Sequence, residues 1–289
     1  MNNALFYSQN QLRDYSSLFT RGGVQAWLKK DFTAVNYKIE RYDGNWRSSS
    51  NGTYLDYLKH VYHVLEMHYQ NEYIFKNSFL NEWLIKEIGK SDSKVFSEFR
   101  VGKSVADLVM FNGISKVFEI KTELDSDHRL AFQIENYRKV FNQIYHIVPE
   151  SKLSLYSKYE DGVGIISFHC CRGHNFTLRR KAKTNLEVDA ETIMNILHTH
   201  EYKEIVHCFY GKLPEMTSFN QFNTCKKLIE QIPNLVLNQS FIDLMKRRDL
   251  KKVYSHRYHK EFNQLSLALK LNQFQRKSLI ENLRTPLKA

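Results

Sequence analysis

Apolar residues recur every three or four positions through residues 53–68 and again through residues 71–88, the spacing of helices that bury one face. Residues 1–70 therefore read as helical, with loops at Arg21-Gly22-Gly23 and Asp43-Gly44, and Gly89 is a natural stop for the helix over 71–88. The period then shortens to two. Residues 94–101, 105–111 and 114–120 are short branched and aromatic runs, and Asn112-Gly113 between the last two is a hairpin signal. Helical spacing returns over 127–143, residues 144–148 and 162–168 read as buried strands, and the chain beyond 179 is mainly helical, ending in a helix over 262–283. This order predicts an α/β fold, a mixed sheet flanked by helices, with helical N- and C-terminal parts. Three parts follow: a helical region 1–70, a core 71–178, and a basic, mainly helical region 179–289.

Composition narrows the class. A hydrophobic content of 42% with 19 Phe and 17 Tyr excludes a disordered chain. No apolar stretch approaches the roughly 18–20 residues of a membrane span, and the first ten residues lack the basic and apolar segments of a signal peptide. A soluble, cytoplasmic protein with no membrane partner is expected. Cys170, Cys171, Cys208 and Cys225 form no CxxC pair, so they read as reduced and structural. The net charge is +11, and residues 241–289 carry twelve Lys and Arg against four Asp and Glu. That concentration points to a polyanion; a solvated helix face is the plainer explanation.

The chemistry sits in the strands. Glu/Asp-x-Lys occurs five times, but only Glu119-Ile120-Lys121 alternates with apolar residues in a strand, which puts both charges on one face. Asp107 lies on the preceding strand. A two-residue connection at Asn112-Gly113 would send Asp107 and Glu119 to opposite faces, whereas a three-residue turn or a bulge places them directly opposite. Carboxylates so close repel unless a cation lies between them. The expectation is an odd or bulged turn and a shared Mg²⁺, an ion that takes one or two carboxylates plus phosphate oxygens and activates water. Lys121 would orient that water or offset charge at phosphorus, and the Ile120 carbonyl is a further ligand candidate. A metal-free cross-strand ion pair between Lys121 and Asp107 is the structural alternative.

Asp107, Glu119-Ile-Lys121 and Gln133-Ile-Glu-Asn-Tyr137, in that order, resemble the PD-(D/E)XK nuclease superfamily, in particular its RecB-like branch with a QxxxY helix. The resemblance covers roughly residues 71–170. It implies a restriction-endonuclease-like core and Mg²⁺- or Mn²⁺-dependent hydrolysis of DNA phosphodiesters. By position it makes Asp107 and Glu119 metal ligands and Lys121 the catalytic lysine. Gln133 and Tyr137 would contact substrate or brace the site, and Glu72, on the first turn of its helix, is preferred over Glu82 as the helix glutamate. Ala106 replaces the proline of the family name. No cysteine precedes residue 170, so no iron–sulfur cluster is expected, and no phosphate-gripping Gly-rich loop is present.

Arg100, Lys103 and Arg129 are candidates for DNA phosphate contacts, with His128 beside them. His60, His63 and His68, the His169–His174 segment and the basic run 179–183 read as structural or solvated. The sequence thus points to a metal-dependent deoxyribonuclease, with a protein partner in a repair or defence system compatible with it. Two alternatives stand beside it: a non-cleaving or partner-dependent nucleic-acid-binding protein with a nuclease-like fold, and a helical scaffold whose acids are merely paired.

Overall fold

The structure, a computed structural model, describes residues 7–48, 52–69, 71–85, 93–123, 128–158, 162–169, 175–248 and 257–287. Two compact units make up the chain, Met1–Ile85 with Leu250–Ala289, and Lys86–Asp249.

The first unit is helical. Its N-terminal part runs through α1 (Gln9–Ser16), α2 (Arg21–Leu28), α3 (Thr33–Tyr42), α4 (Asn45–Ser48), α5 (Tyr54–His68) and α6 (Glu72–Phe79), the last continuing into a π-helical turn at Leu80–Leu84. A capping box between Thr53 and Asp56 starts α5 by satisfying backbone N–H groups that have no partner within the helix. Two buried phenols, Tyr15 and Tyr57, both donate to Asp43 Oδ2, at 2.6 and 2.8 Å, and tie α1 and α5 to the end of α3.

The second unit holds the sheet. Its elements are β1 (Lys94–Val101), β2 (Ser104–Phe111), β3 (Ser115–Ile120), α7 (Leu130–Arg138), β4 (Gln143–Pro149), α8 (Leu153–Ser157), β5 (Gly164–His169) and β6 (Asn175–Arg180). The six strands lie in sequence order. β1, β2 and β3 are antiparallel, β3, β4 and β5 are parallel, and β6 returns antiparallel to β5. The parallel step from β3 to β4 requires a crossover, and α7 supplies it. Asn142, at the start of β4, locks that crossover: its Oδ1 accepts from the Ser115 backbone and hydroxyl, both at 2.9 Å. The irregular stretch after β6 is tied down by backbone bonds from Lys183 to Gly162 and from Asn185 to Asn142. Helices α9 (Ala190–Ile196), α10 (Thr199–Tyr210), α11 (Gln221–Ile229) and α12 (Asn234–Arg247) complete this unit, and the Phe241 ring of α12 meets Phe111 of β2 edge-on at 5.6 Å.

The C-terminal helices, α13 (Asn263–Ala268) and α14 (Gln273–Leu283), belong to the helical unit. Phe262 joins the rings of Phe19 and Trp27, and Asn282 donates to the Trp27 and Leu28 carbonyls at the end of α2. The chain then bonds back to the start of α5 through Tyr54 N–H to the Thr285 carbonyl.

The mixed sheet, the helical ends and the strand triplet match the sequence expectation; the partition does not. Residues 71–85 belong to the helical unit because Tyr73 and Ile74 enter its core. Residues 179–249 belong to the sheet unit, since Arg179 and Arg180 end β6 and α12 packs on β2. The boundaries at 70 and 178 are corrected accordingly. The single helix expected over 262–283 is broken at Lys270, which has φ 52°, before Asn272 caps α14. Strand β6 was not anticipated. Gly89 and Asp127, expected at a helix end and a helix start, lie outside the described residues.

A buried ion pair gives the sheet unit a testable constraint. Arg248 grips Glu201 with two bonds, Nε to Oε1 at 2.8 Å and Nη2 to Oε2 at 2.6 Å, just beyond α12. Burial pushes the Glu201 carboxyl up, but the Arg248 bonds outweigh it and hold the group below 4.5. A carboxylate depressed in the folded state stabilises fully above its unfolded value and loses that contribution as pH falls through its folded one. Glu201→Gln should cost on the order of 3 kcal/mol at pH 7 and flatten the acid limb of the stability curve. Urea unfolding at pH 7 and pH 4 measures both; an unchanged acid limb would contradict the assignment.

Candidate active site

Three residues, Asn112, Gly113 and Ile114, connect β2 to β3, with Phe111 paired to Ser115. Gly113 adopts φ 94°, the left-handed region that glycine enters without steric cost. The register runs Phe111–Ser115, Met110–Lys116, Val109–Val117, Leu108–Phe118, and one step further it sets Asp107 opposite Glu119. This is the odd connection that the charges required. Asp107 Oδ2 accepts the Ile120 backbone N–H at 2.8 Å, so the acid holds the end of the neighbouring strand.

Glu119 is the centre of the group. It is 4% exposed, yet its carboxylate receives three side-chain donors. Gln133 Nε2 donates to Oε1 at 2.6 Å, Lys121 Nζ donates to Oε1 at 3.1 Å, and the Tyr137 hydroxyl donates to Oε2 at 2.9 Å. Lys121 also donates to Gln133 Oε1 at 3.1 Å, closing a ring of Glu119, Lys121 and Gln133. Gln133 and Tyr137 stand one turn apart on α7 and reach the same acid, as i, i+4 neighbours on one helix face can. The ion pair expected as the structural alternative forms between Lys121, just past the end of β3, and Glu119, rather than across to Asp107.

The electrostatics are unbalanced. Burial first, and then the charge of Asp107, push the Glu119 carboxyl up to about 7; Lys121 and Tyr137 only partly oppose them. The Tyr137 phenol is driven well above its usual range, by burial and then by Glu119, and stays protonated as a donor.

One group at the site escaped the sequence reading. His146 on β4 is the register partner of Glu119. It is 2% exposed, its Nε2 has no hydrogen-bond partner, and burial followed by the charges of Lys121 and Arg180 lowers its pKa to about 3, leaving a neutral ring. The signal was a histidine inside an apolar strand. Away from that group, the β1–β2 register skips exposed Glu98, between the pairs Ser97–Leu108 and Phe99–Ala106. It carries φ 54°, a conformation that costs a non-glycine residue about 1–3 kcal/mol. Nothing in the sequence marks that backbone.

The other candidates are placed as follows. Arg100 is exposed on β1, Lys103 is exposed in the turn between β1 and β2, and Arg129 with His128 is exposed on the approach to α7. Glu72 lies in the helical unit, where its carboxylate pairs with Lys76, while the donors around Glu119 all come from the sheet unit. Arg179 bonds to Ser167 and Glu150, and Arg180 to the Val163 carbonyl, so the start of the basic run is structural. His60 lies against Trp46 and His63 beside Glu66. Residues 170–174 lie outside the described residues.

A divalent ion at this site has a donor set to meet. Among the described residues no three His, Cys, Asp or Glu side chains are grouped as metal ligands. Asp107 and Glu119 supply two hard carboxylates in register, and their mutual repulsion is what an ion would relieve. Two carboxylates with water and phosphate oxygens fit Mg²⁺ or Mn²⁺, ions that do not demand a full protein cage.

The chain belongs to the bacteriophage P4 protein cII family, whose model matches residues 66–283. It is 25% identical to protein cII of Enterobacteria phage P4 over 132 residues, 44% of this chain and 50% of that protein. The match thus spans about half the length of this curated relative. A Silicibacter pomeroyi protein of unknown function overlaps 48% of this chain and 97% of its own length, with a TM-score of 0.30 at 12% identity. Among the described residues no helix is long and apolar enough to cross a membrane.

The Glu119 shift has a sign that can be measured. With a folded value above the unfolded 4.5, the folded state holds an extra proton between the two, so stability falls as pH rises from about 4.5 to about 7. Glu119→Gln should match the parent near pH 4.5 and exceed it by on the order of 2–3 kcal/mol at pH 8. Denaturant unfolding at both values tests this; the same difference at each pH would count against a strained carboxylate.

Proposed function

We propose that the chain is a metal-dependent nuclease that hydrolyses DNA phosphodiester bonds at Asp107, Glu119 and Lys121. The observation that carries this reading is the three-residue turn that sets Asp107 against Glu119, with Lys121 just past the end of the same strand and Gln133 and Tyr137 bonded to the same acid. The resemblance to the PD-(D/E)XK nucleases rests on these same positions and is a further support.

Asp107 and Glu119 would hold Mg²⁺ or Mn²⁺, with the Ile120 carbonyl as a third oxygen. Bound there, the ion supplies Lewis acidity toward the phosphate and a water of lowered pKa. Gln133 and Tyr137 fix the Glu119 carboxylate in one orientation, so no reorganisation is needed when charge develops. Lys121, moving from Glu119 toward the phosphate, offsets the negative charge that builds on its non-bridging oxygens. Arg100, Lys103 and Arg129 bind backbone phosphates, contacts that weaken as salt rises. The basic C-terminal residues add to that attraction, and a protein partner in a repair or defence system fits the same chemistry. Glu72 remains a proposed ligand only.

A second reading has its own support. The bonds among Glu119, Lys121, Gln133 and Tyr137 close on themselves, and such a network holds together without an ion. It would suit a nucleic-acid-binding protein that does not cleave, or cleaves only with a partner.

Incubation with linear, circular and single-stranded DNA in Mg²⁺ or Mn²⁺ should give breaks that EDTA stops. Lys121→Ala should lower the rate at least about 100-fold with DNA retention nearly unchanged. Retention without cleavage by the parent in either metal favours the second reading, and loss of both activities rules out the nuclease reading.

A further inference from the structure

The last two helices of the helical unit, α13 and α14, are joined by a tight turn, Leu269–Asn272. Lys270 closes α13: its N–H bonds to the Leu267 carbonyl at 3.0 Å, and the Leu271 N–H reaches back to the Ser266 carbonyl at 2.9 Å. This pair of bonds needs a left-handed residue between helix and turn, and Lys270 supplies it with φ 52°. Asn272 then opens α14 by accepting the Gln275 N–H at 2.8 Å and donating its own to Gln275 Oε1 at 3.0 Å. Arg276 of α14 bonds to Asn263 at the start of α13 at 2.6 Å and ties the two helices together. Leu265, Leu271, Leu279 and Leu283 are buried, and the pair packs on α2, α5 and α6. Two helices joined by a four-residue turn on a packed base form a helix-turn-helix, the unit that offers its second helix to the major groove of DNA.

What α14 turns outward suits that groove. Gln273, Lys277 and Glu281 follow one another at i, i+4 intervals with Phe274 beside them, and all four are exposed on one face. Phe274 is 79% exposed, and a phenyl ring gains nothing in water. In the major groove such a ring covers a thymine methyl, a glutamine amide pairs with adenine N6 and N7, and a lysine donates to guanine. Cations frame this face. Lys270 lies in the turn and Arg284 just past the end of α14, both exposed. Exposed Lys29 and Lys30 follow α2, whose last carbonyls, of Trp27 and Leu28, accept from Asn282 of α14. Two exposed acids, Asp31 and Glu281, stand against these four and Lys277, and the Lys277–Glu281 pair is weak at 3.8 Å. Lys270 also occupies a left-handed position that glycine would fill without cost, so the turn keeps a cation at the expense of backbone strain.

We propose that α14 is a recognition helix that reads the base sequence of duplex DNA in the major groove. Gln273, Phe274 and Lys277 meet base edges, while Lys29, Lys30, Lys270 and Arg284 take the flanking phosphates. The phosphate contacts set the register of the helix on the duplex, and the base contacts give the preference for one sequence. This inference goes beyond hydrolysis at Asp107 and Glu119 and does not rest on it, because base readout requires neither a metal nor a broken bond.

Selection of bound duplexes from a random-sequence library by the full chain in EDTA reads the proposal. One sequence pattern should be enriched, and its duplex should bind at least about 100-fold tighter than a scrambled one. Gln273→Ala and Phe274→Ala, both exposed and therefore neutral to folding, should each weaken the selected duplex about tenfold, relax the preference at one base pair and leave the scrambled duplex unchanged. Lys29→Gln with Lys30→Gln should instead weaken both duplexes alike and reduce the slope of log affinity against log salt by about 2. No enriched pattern, or a preference that survives Gln273→Ala and Phe274→Ala combined, overturns the proposal. Lys121→Ala should leave the selected pattern intact, and a chain that selects a sequence yet cuts no DNA in Mg²⁺ or Mn²⁺ sustains this inference while refuting the nuclease reading.

Discussion

A carboxylate buried at the end of a strand, with a second carboxylate in register beside it, has to be stabilised locally, and the sheet unit is organised around that demand. Glu119 draws one donor from just past the end of its strand, Lys121, and two from the crossover helix, Gln133 and Tyr137. The helix reaches them only because β3 and β4 are parallel, which forces the chain across the sheet between the two strands. Asn142 then fixes where the crossover ends by bonding back to Ser115 at the start of β3. Sheet topology, helix placement and turn length thus converge on one acid.

Those donors do not neutralise the pair. Glu119 remains pushed toward neutrality by burial and by Asp107, and the neighbouring strand adds His146, an imidazole held neutral with an unsatisfied Nε2. Local order of this kind, kept where it does not serve stability, is expected where a molecule binds something. Membership of the phage P4 protein cII family describes relationship and leaves the chemistry to these residues.

Much of this was legible before any coordinates. The period change at residue 94 marked the strands, and the requirement that Asp107 meet Glu119 demanded an odd or bulged turn, of which the three-residue connection is the first kind. Charge context picked Glu119-Ile-Lys121 out of five similar triplets. Other features were hidden. Strand β6 is short and half polar, and it exists because β5 offers it an edge. The boundaries at 70 and 178 were misplaced because nothing in a local window reveals that Tyr73 enters the core occupied by Phe262, nearly 190 residues later. The break at Lys270 is likewise invisible to a hydrophobic pattern that continues across it.

The sequence by itself determined the fold class, the hairpin and the facing acids, because alternation and turn length are properties of neighbouring residues. Only the tertiary structure decided what those acids meet. It set Gln133 and Tyr137 on Glu119, put His146 beside it, and assigned Glu72 to the helical unit. It also broke the last helix at Lys270 and set Gln273, Phe274 and Lys277 on the outer face of α14, where the sequence showed only a basic tail. Burial and long-range pairing are settled by which surfaces exclude water together, and no stretch of residues carries that information alone.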